Sequence, residues 1–279
     1  MPRQASRPRH RAVTDLGLVD WYQLPTWYDA IHRAGTAAEV TGLERVALTY
    51  TRSRGTMRWF EPACGTGRYL REAASRGVAC AGLDLEPAMI DYARAAAARR
   101  GLTIELRVGD MTDFRARQPA DLAFCLVNSL RHLPSDRALL DHLGCIERAL
   151  KRGGVYIVGL NTTVFAGETE SEDVWDATHG RTEYRQIATY LPSEGPGTRD
   201  RFETVINHLV RRTPTAEIHA DNTYQLRCYS MPQWLDVLRR SPFDAVAATD
   251  EDGNEVATQR DIADVWGYAW FVLRRRNEA

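Results

Sequence analysis

The sequence predicts an α/β protein: a doubly wound, mostly parallel sheet of seven strands, closed by an antiparallel hairpin and interrupted by an inserted antiparallel β-meander. Three observations carry this. From residue 57 to residue 160, short apolar runs alternate with amphipathic helical patterns, the rhythm of parallel strands joined by crossover helices. A glycine loop, Glu61-Pro62-Ala63-Cys64-Gly65-Thr66-Gly67, separates the first run from the helix after it. Between residues 180 and 228 the helical period gives way to segments of alternating polarity.

Residues 1–12, MPRQASRPRHRA, are basic, contain two prolines and lack apolar periodicity, and read as a disordered tail. Residues 13–54 read as an N-terminal helical segment. Aromatics cluster there between Asp20 and His32, and Val40, Leu43, Val46 and Ala47 recur at helical spacing between Ala37 and Tyr50. Met57 to Phe60 is the first strand. The helix after the glycine loop, Tyr69 to Arg76, stops at Gly77, a C-cap residue.

Val78 to Leu83 is the next strand, closed by Asp84. Glu86-Pro87 opens a helix reaching about Arg100, with proline where its missing N–H costs nothing. Thr103 to Val108 runs into Gly109-Asp110-Met111, and Ala120 to Val127 into Asn128-Ser129. Asp136 to Leu150 is helical. Lys151 and Arg152 suit its negative end, and Gly153-Gly154 turn the chain into the strand Val155 to Leu160. The core is expected over residues 55–164 and 229–279, and the insertion over 165–228. Met231 to Arg240 is a further helix, and Phe243 to Ala248 pairs with Trp266 to Leu273 as the closing hairpin.

A chain of 279 residues fits one large α/β domain with an insertion. The formal net charge of −1 argues against nucleic acid and anionic membranes as partners. No apolar run approaches the roughly 20 residues that span a bilayer, and no signal-peptide pattern opens the chain. Five scattered cysteines without a Cys-x-x-Cys pair argue against a zinc site; no metal is expected, and such thiols suit a reducing cytoplasm.

Ligands of open α/β sheets bind beyond the carboxyl ends of the strands. Four strand ends therefore make one candidate site: Glu61 to Gly67, Asp84, Gly109 to Met111, and Leu126 to Ser129. Gly65 and Gly67 permit positive φ and a close backbone approach. Leu70 stands where a dinucleotide fingerprint has its last glycine, which argues against a nicotinamide dehydrogenase. The Gly-Lys-Ser/Thr ending of a P-loop is missing. Glu61 at the head of the loop is a poor neighbour for pyrophosphate and a good one for a cation. Asp84 follows Gly65 by about 20 residues, the spacing at which a carboxylate reaches ribose hydroxyls.

Together the loop and Asp84-Leu85-Glu86-Pro87-Ala88-Met89-Ile90 resemble motif I and its continuation in the class I S-adenosylmethionine-dependent methyltransferases. The resemblance spans roughly residues 55–160, with Ala63 in place of the motif's first glycine. It implies a Rossmann-like fold and S-adenosylmethionine as methyl donor, leaving S-adenosylhomocysteine. In that reading Glu61, Ala63, Gly65 and Gly67 lie along the donor and Asp84 holds its ribose. Leu85 and Met89 flank the adenine, Asp110 accepts from the adenine amino group, and Gly109 and Met111 lie beside the ring. Leu126 and Asn128 sit where the methionine end meets the acceptor. Arg68 pairs with the donor carboxylate, and Tyr28, of the pair Tyr28-Asp29, folds over the donor or docks on the core.

His132, in the turn Asn128 to Leu133, is the candidate general base; packing or capping is its alternative role. Nothing at this strand end matches the Asp/Asn-Pro-Pro-Tyr of nucleic-acid amino-methyltransferases. The insertion's aromatics, Trp175, Tyr184, Tyr190, Tyr224 and Tyr229, point to a small organic acceptor methylated on N or O. The insertion is then a substrate lid, or else the surface of a homodimer. The rival readings are an RNA or protein methyltransferase, supported by the basic tail, and a catalytically silent cofactor-binding protein.

Overall fold

The strand Arg58–Pro62 (β2) is buried from Trp59 onward, as a strand covered on both faces must be. It stands between Ala79–Asp84 (β3) and Ala120–Cys125 (β5), both parallel to it. The computed structural model of the chain describes residues 11–53 and 55–276. Ile104–Val108 (β4) flanks β3, and Leu150–Thr162 (β6) flanks β5 in parallel. Antiparallel strands follow: Gly267–Arg275 (β13) on β6, Phe243–Thr249 (β11) on β13, and Glu255–Thr258 (β12) on β11. The sheet order is β12-β11-β13-β6-β5-β2-β3-β4. The chain crosses to the other side of β2 between β4 and β5, the switch point beyond which such sheets bind ligands.

Two apolar layers sandwich this sheet. Along β6, Val155 and Ile157 face a layer containing Val40, Leu43 and Val46 of the helix Thr36–Tyr50 (α2), with Leu70 of Arg68–Ser75 (α3) and Ile90 of Pro87–Arg99 (α4). Tyr156, Val158 and Leu160 face the other, with Leu139, Leu143 and Ile146 of Asp136–Ala149 (α5) and Trp234 and Val237 of Met231–Arg240 (α6). Leu70 comes close to β3 because the residue opposite is Gly82; a Cβ there would stand 2.5 Å from Leu70 Cδ1. The close helix–strand contact that a third loop glycine would permit is thus provided from the strand.

The insertion forms a second sheet, ordered β1-β10-β9-β8-β7, from Ser171–His179 (β7), Thr182–Leu191 (β8), Phe202–Arg212 (β9), Ala216–Arg227 (β10) and the N-terminal strand Ala12–Leu18 (β1). The helix Pro25–His32 (α1) packs on its inner face through Trp27 and Ile31, against Tyr184, Leu209 and Ala220.

Several expectations are corrected. The start of the 13–54 segment is the strand β1, parallel to β10, not helix. Its residues are all exposed, so no buried stripe marks a period, and the open edge of β10 supplies the hydrogen bonds. The expected basic tail lies outside the described residues up to position 10. The main sheet has eight strands, the extra one being the short edge strand β12. The insertion holds a further strand, β7, whose exposed, acid-rich edge sequence hides its alternation. Lys151 and Arg152 lie in β6, which starts directly at Leu150, and Lys151 Nζ pairs with Asp121 Oδ2 at 2.8 Å. Among the described residues no helix is long and apolar enough to cross a membrane.

Candidate active site

A cavity of about 600 Å³ opens between the carboxyl ends of β2 to β5 and the inner face of the second sheet. The glycine loop forms one wall. Ala63, Gly65 and Gly67 all have left-handed backbone, with φ of 56°, 52° and 67°. In Ala63 that conformation costs roughly 1–2 kcal/mol, which the glycine of the motif would not incur. Cys64 N–H donates to the Leu83 carbonyl at 2.8 Å, and Gly67 N–H to the Cys64 carbonyl at 2.8 Å, so the loop is closed on itself and on β3.

Asp84 ties this loop to the next strand end. Its Oδ2 accepts from Gly65 N–H at 2.7 Å and its Oδ1 from Glu86 N–H at 3.0 Å. The capping of α4 falls to Glu86, which accepts from Ala88 N–H, so Asp84 is not needed as a helix cap. Each Asp84 oxygen keeps a lone pair for a ligand hydroxyl. Burial raises its carboxyl, partly countered by the amides of Glu86 and Gly65.

Glu61 lies just behind the loop, 4% exposed, and its Oε2 has no partner. Burial pushes its carboxyl well above the usual range, and Arg68 only partly offsets this. A buried carboxylate oxygen without a partner is costly, and a bound cation would relieve it. The donor set therefore fits an adenosyl compound carrying an ammonium: two carboxylates, a left-handed loop and no phosphate cradle.

The remaining expected residues divide. Tyr28, Leu85, Gly109, Asp110, Met111, Asn128 and His132 line the cavity with Ala63, Gly65 and Asp84. Tyr28 lies over the loop, its Cε1 3.7 Å from where a Cβ on Gly65 would stand. Asp110 also makes a turn, Oδ1 accepting from Thr112 N–H at 2.7 Å and from Thr112 Oγ1 at 2.8 Å.

Glu61, Gly67, Arg68, Met89 and Leu126 stand behind the wall. Met89 is fully buried on the inner side of α4 and cannot flank an adenine as expected; Leu85, 71% exposed before the helix starts, lines the cavity alone of that pair. Arg68 is engaged elsewhere: its Nη1 donates to Thr36 Oγ1 and Glu39 Oε2, both at 2.7 Å, and its Nη2 to the Tyr69 hydroxyl. It fastens α3 to α2. Leu126 is buried, and the wall there is Val127 and Asn128, both left-handed at φ 52° and 61°. Such backbone is rare for a β-branched residue. It is held by Val127 N–H donating to Tyr268 Oη at 3.0 Å and Asn161 N–H to Asn128 Oδ1 at 2.7 Å.

His132 Nε2 is 2.9 Å from the Tyr22 hydroxyl, and its ring is 5.3 Å from that of Tyr224. Although it is open to the cavity, surrounding protein, reinforced by Arg131, pulls its imidazolium down to about 4. It is neutral at neutral pH. Arg131, buried, donates to the Arg227 carbonyl at 3.0 Å and to Glu203 Oε2 at 3.0 Å, and so rivets this turn to the second sheet. Asp29, also fully buried, accepts from Arg33, Arg71 and the Tyr92 hydroxyl, and so clamps α1 to α3 and α4.

The far wall is aromatic: Trp21, Tyr22 and His32 from the N-terminal segment, Trp175, Tyr190 and Tyr224 from the second sheet. Tyr184 packs against Trp27 at 6.2 Å, and Tyr229 lies in the core beneath Arg201; neither lines the cavity, contrary to expectation. Sequence reasoning missed Arg131, Val127 and Gln186 in the wall. A signal existed for Gln186, a polar residue among the inward positions Tyr184, Ala188 and Tyr190.

Residues 60–154 match the family described as the methyltransferase domain. The similarity to a methyltransferase domain thus covers β2 to the start of β6. Curated relatives of this methyltransferase domain include a dTDP-4-amino-2,3,4,6-tetradeoxy-D-glucose N,N-dimethyltransferase of Saccharopolyspora spinosa, 32% identical over 132 residues, 47% of this chain and 51% of that one. A ubiquinone biosynthesis O-methyltransferase of Xylella fastidiosa is 26% identical over 50% of this chain and 56% of its own. The chain thus matches only about half the length of these relatives. Streptomyces venezuelae DesVI superposes with TM-score 0.70 at 18% identity, over 91% of this chain and 98% of that one. The sugar N-methyltransferase KedS8 of Streptoalloteichus superposes with TM-score 0.62 at 20% identity, over 99% of both. The likeness in fold therefore extends through the second sheet as well as the methyltransferase domain.

Proposed function

We infer that this chain is an S-adenosylmethionine-dependent methyltransferase acting on a nitrogen or oxygen of a small organic acceptor, with an amine favoured. The observation that carries the reading is the joining of two half-sites in one cavity. One is a cradle of Asp84 and the left-handed loop, with Glu61 buried behind it; the other is an aromatic chamber roofed by the second sheet. The named activities of the relatives, a sugar N,N-dimethyltransferase and a quinone-pathway O-methyltransferase, agree with this class.

S-adenosylmethionine would supply an already activated methyl group. The chain's own residues bind, orient and exclude water. Asp84 takes the ribose hydroxyls, Glu61 behind the loop balances the charge of the ammonium, and Tyr28 covers the loop. The Val127-Asn128 turn sets the depth at which the acceptor stops. Holding the reacting atoms in line is worth orders of magnitude in rate without a strong base. Neutral His132, bonded to Tyr22, can orient the amine by a hydrogen bond, and the proton the amine sheds passes to solvent. Cation–π attraction from Trp175, Tyr190 and Tyr224 favours a protonated amine on arrival.

We take residues 55–164 and 229–279 as the core and 165–228 as the lid, with strand 12–18 belonging to the lid. The lid role is supported by the cavity beneath its inner face; a homodimer would use the opposite face, where Val174 and Ile206 are exposed. The five cysteines are free and buried, in keeping with a cytoplasmic location. Incubation with S-adenosylmethionine and a panel of small primary amines and phenols tests the reading. Mass spectrometry should find one or two added methyl groups on amines. Donor binding without transfer to any member would favour the silent protein.

A further inference from the structure

On the outer face of the second sheet, turned away from the cavity, four side chains of β9 and β10 form a chain. His208 stands directly across the ladder from Asp221, and His219 is its diagonal neighbour. Both histidines alternate with Leu209 and Ala220, which pack under α1, and so project from the opposite face. His208 Nδ1 is 2.8 Å from Asp221 Oδ1, His208 Nε2 is 3.2 Å from His219 Nδ1, and His219 Nε2 is 3.0 Å from Glu217 Oε1. Three such contacts need three protons, and two neutral imidazoles carry only two N–H groups. With one N–H given to each carboxylate, His208 Nε2 and His219 Nδ1 turn bare lone pairs on each other. A positive species belongs between them, either a third proton or a metal ion.

Three features favour the metal. Each imidazole has its far nitrogen fixed by a carboxylate, the arrangement that orients a metal-ligating histidine and raises its basicity. An ion about 2.0–2.1 Å from each facing nitrogen would see them roughly 100° apart, close to the tetrahedral angle. The surroundings are anionic: Asp15 of β1 pairs with His219 on the same face, while Arg212 is engaged by Glu217 at 2.9 Å and Arg185 by Asp176 at 2.7 Å. Among the described residues no group of three or more metal-ligating side chains is assembled, so water would complete the sphere. The two histidines are 11 residues apart and meet only through the register of the hairpin, which is why no spacing motif announces them.

We propose that His208 and His219 form a surface site for a divalent ion that prefers imidazole, of the Zn²⁺, Cu²⁺ or Ni²⁺ class, bridging β9 to β10. The site stands apart from the methyl-transfer reading. The test uses the full chain, stripped with EDTA and then freed of chelator, titrated with Zn²⁺ in calorimetry and with Cu²⁺ in electron paramagnetic resonance. The wild type should bind Zn²⁺ with affinity on the order of ten micromolar, undisturbed by excess Mg²⁺. The Cu²⁺ spectrum should show coupling to two imidazole nitrogens. His208→Ala and His219→Ala should each weaken binding at least about tenfold. Asp221→Ala keeps both imidazoles but removes the carboxylate that orients one; it should weaken binding about tenfold, and it decides the matter should a histidine variant not fold. Full affinity in any of these variants, competition by Mg²⁺, coupling to fewer than two imidazole nitrogens, or a wild type that binds no ion overturns the assignment and leaves the shared proton in its place.

Discussion

Gly65 N–H donates to Asp84 Oδ2 across 2.7 Å, so the glycine loop and the end of β3 are one unit before any ligand arrives. The carboxylate that would hold a ribose is also the one that fixes the backbone bend beside it. The loop is therefore preorganised, and the ordering cost of binding falls.

Ala63 sits in left-handed backbone within that unit. Ala63→Gly should relieve roughly 1–2 kcal/mol of strain and give back about half to unfolded-chain entropy. The expected outcome is a thermal midpoint higher by a few degrees in calorimetry, with no loss of S-adenosylhomocysteine affinity. A lower midpoint would contradict the strain.

Burial raises the Glu61 carboxyl well above its usual range, and a bound ammonium would bring it down again. Donor binding should therefore release a proton from Glu61, and affinity should rise with pH through its elevated pKa. Titration calorimetry in buffers of differing ionisation enthalpy reads the released proton directly. In Glu61→Gln both the proton release and this pH dependence should vanish.

Asp29 works in the opposite sense. Burial alone would raise its carboxyl, but Arg71 and the hydrogen bonds from Arg33 and Tyr92 hold it below the usual range. A carboxyl depressed in the folded state stabilises above its unfolded pKa, near 3.9, and loses that contribution as pH falls through the folded value. Asp29→Ala should cost about 3–5 kcal/mol at neutral pH, because Arg71, 11% exposed, is stranded. The gap between variant and wild type should close below about pH 4. Thermal melts across pH 3 to 7, on the order of the range set by carboxylate titration, check this; a gap that persists in acid would refute it.

His132, with its imidazolium near 4, should impose no inflection on the rate near pH 6.5. His132→Asn should lower kcat by about 10- to 100-fold, at or below the low end of general-base effects, and leave donor affinity alone. A wild-type acid limb at neutral pH that disappears in the variant would show instead that His132 titrates there.

The parallel core and the backbone of the site were legible because glycine, proline and buried runs encode chain geometry directly. Ala63, Gly65, Asp84 and Asn128 fall where strand ends must fall. What stayed hidden depends on partners distant in the chain. Arg68 reads as a ligand cation until α2 brings Glu39 to it. Met89 shares a buried stripe with Ile90 and Ala93, a helical phase visible in the sequence that outweighed the motif's expectation. Edge strands β1 and β7 expose most of their residues, so burial left no pattern to read.

The most direct measurement is a pair of calorimetric titrations with S-adenosylhomocysteine, on the wild type and on Asp84→Ala. The account predicts wild-type binding on the order of micromolar and a loss of at least about tenfold in the variant, whose ribose partner and loop anchor are both removed. Equal affinity in the two proteins, or no binding to the wild type, would contradict it.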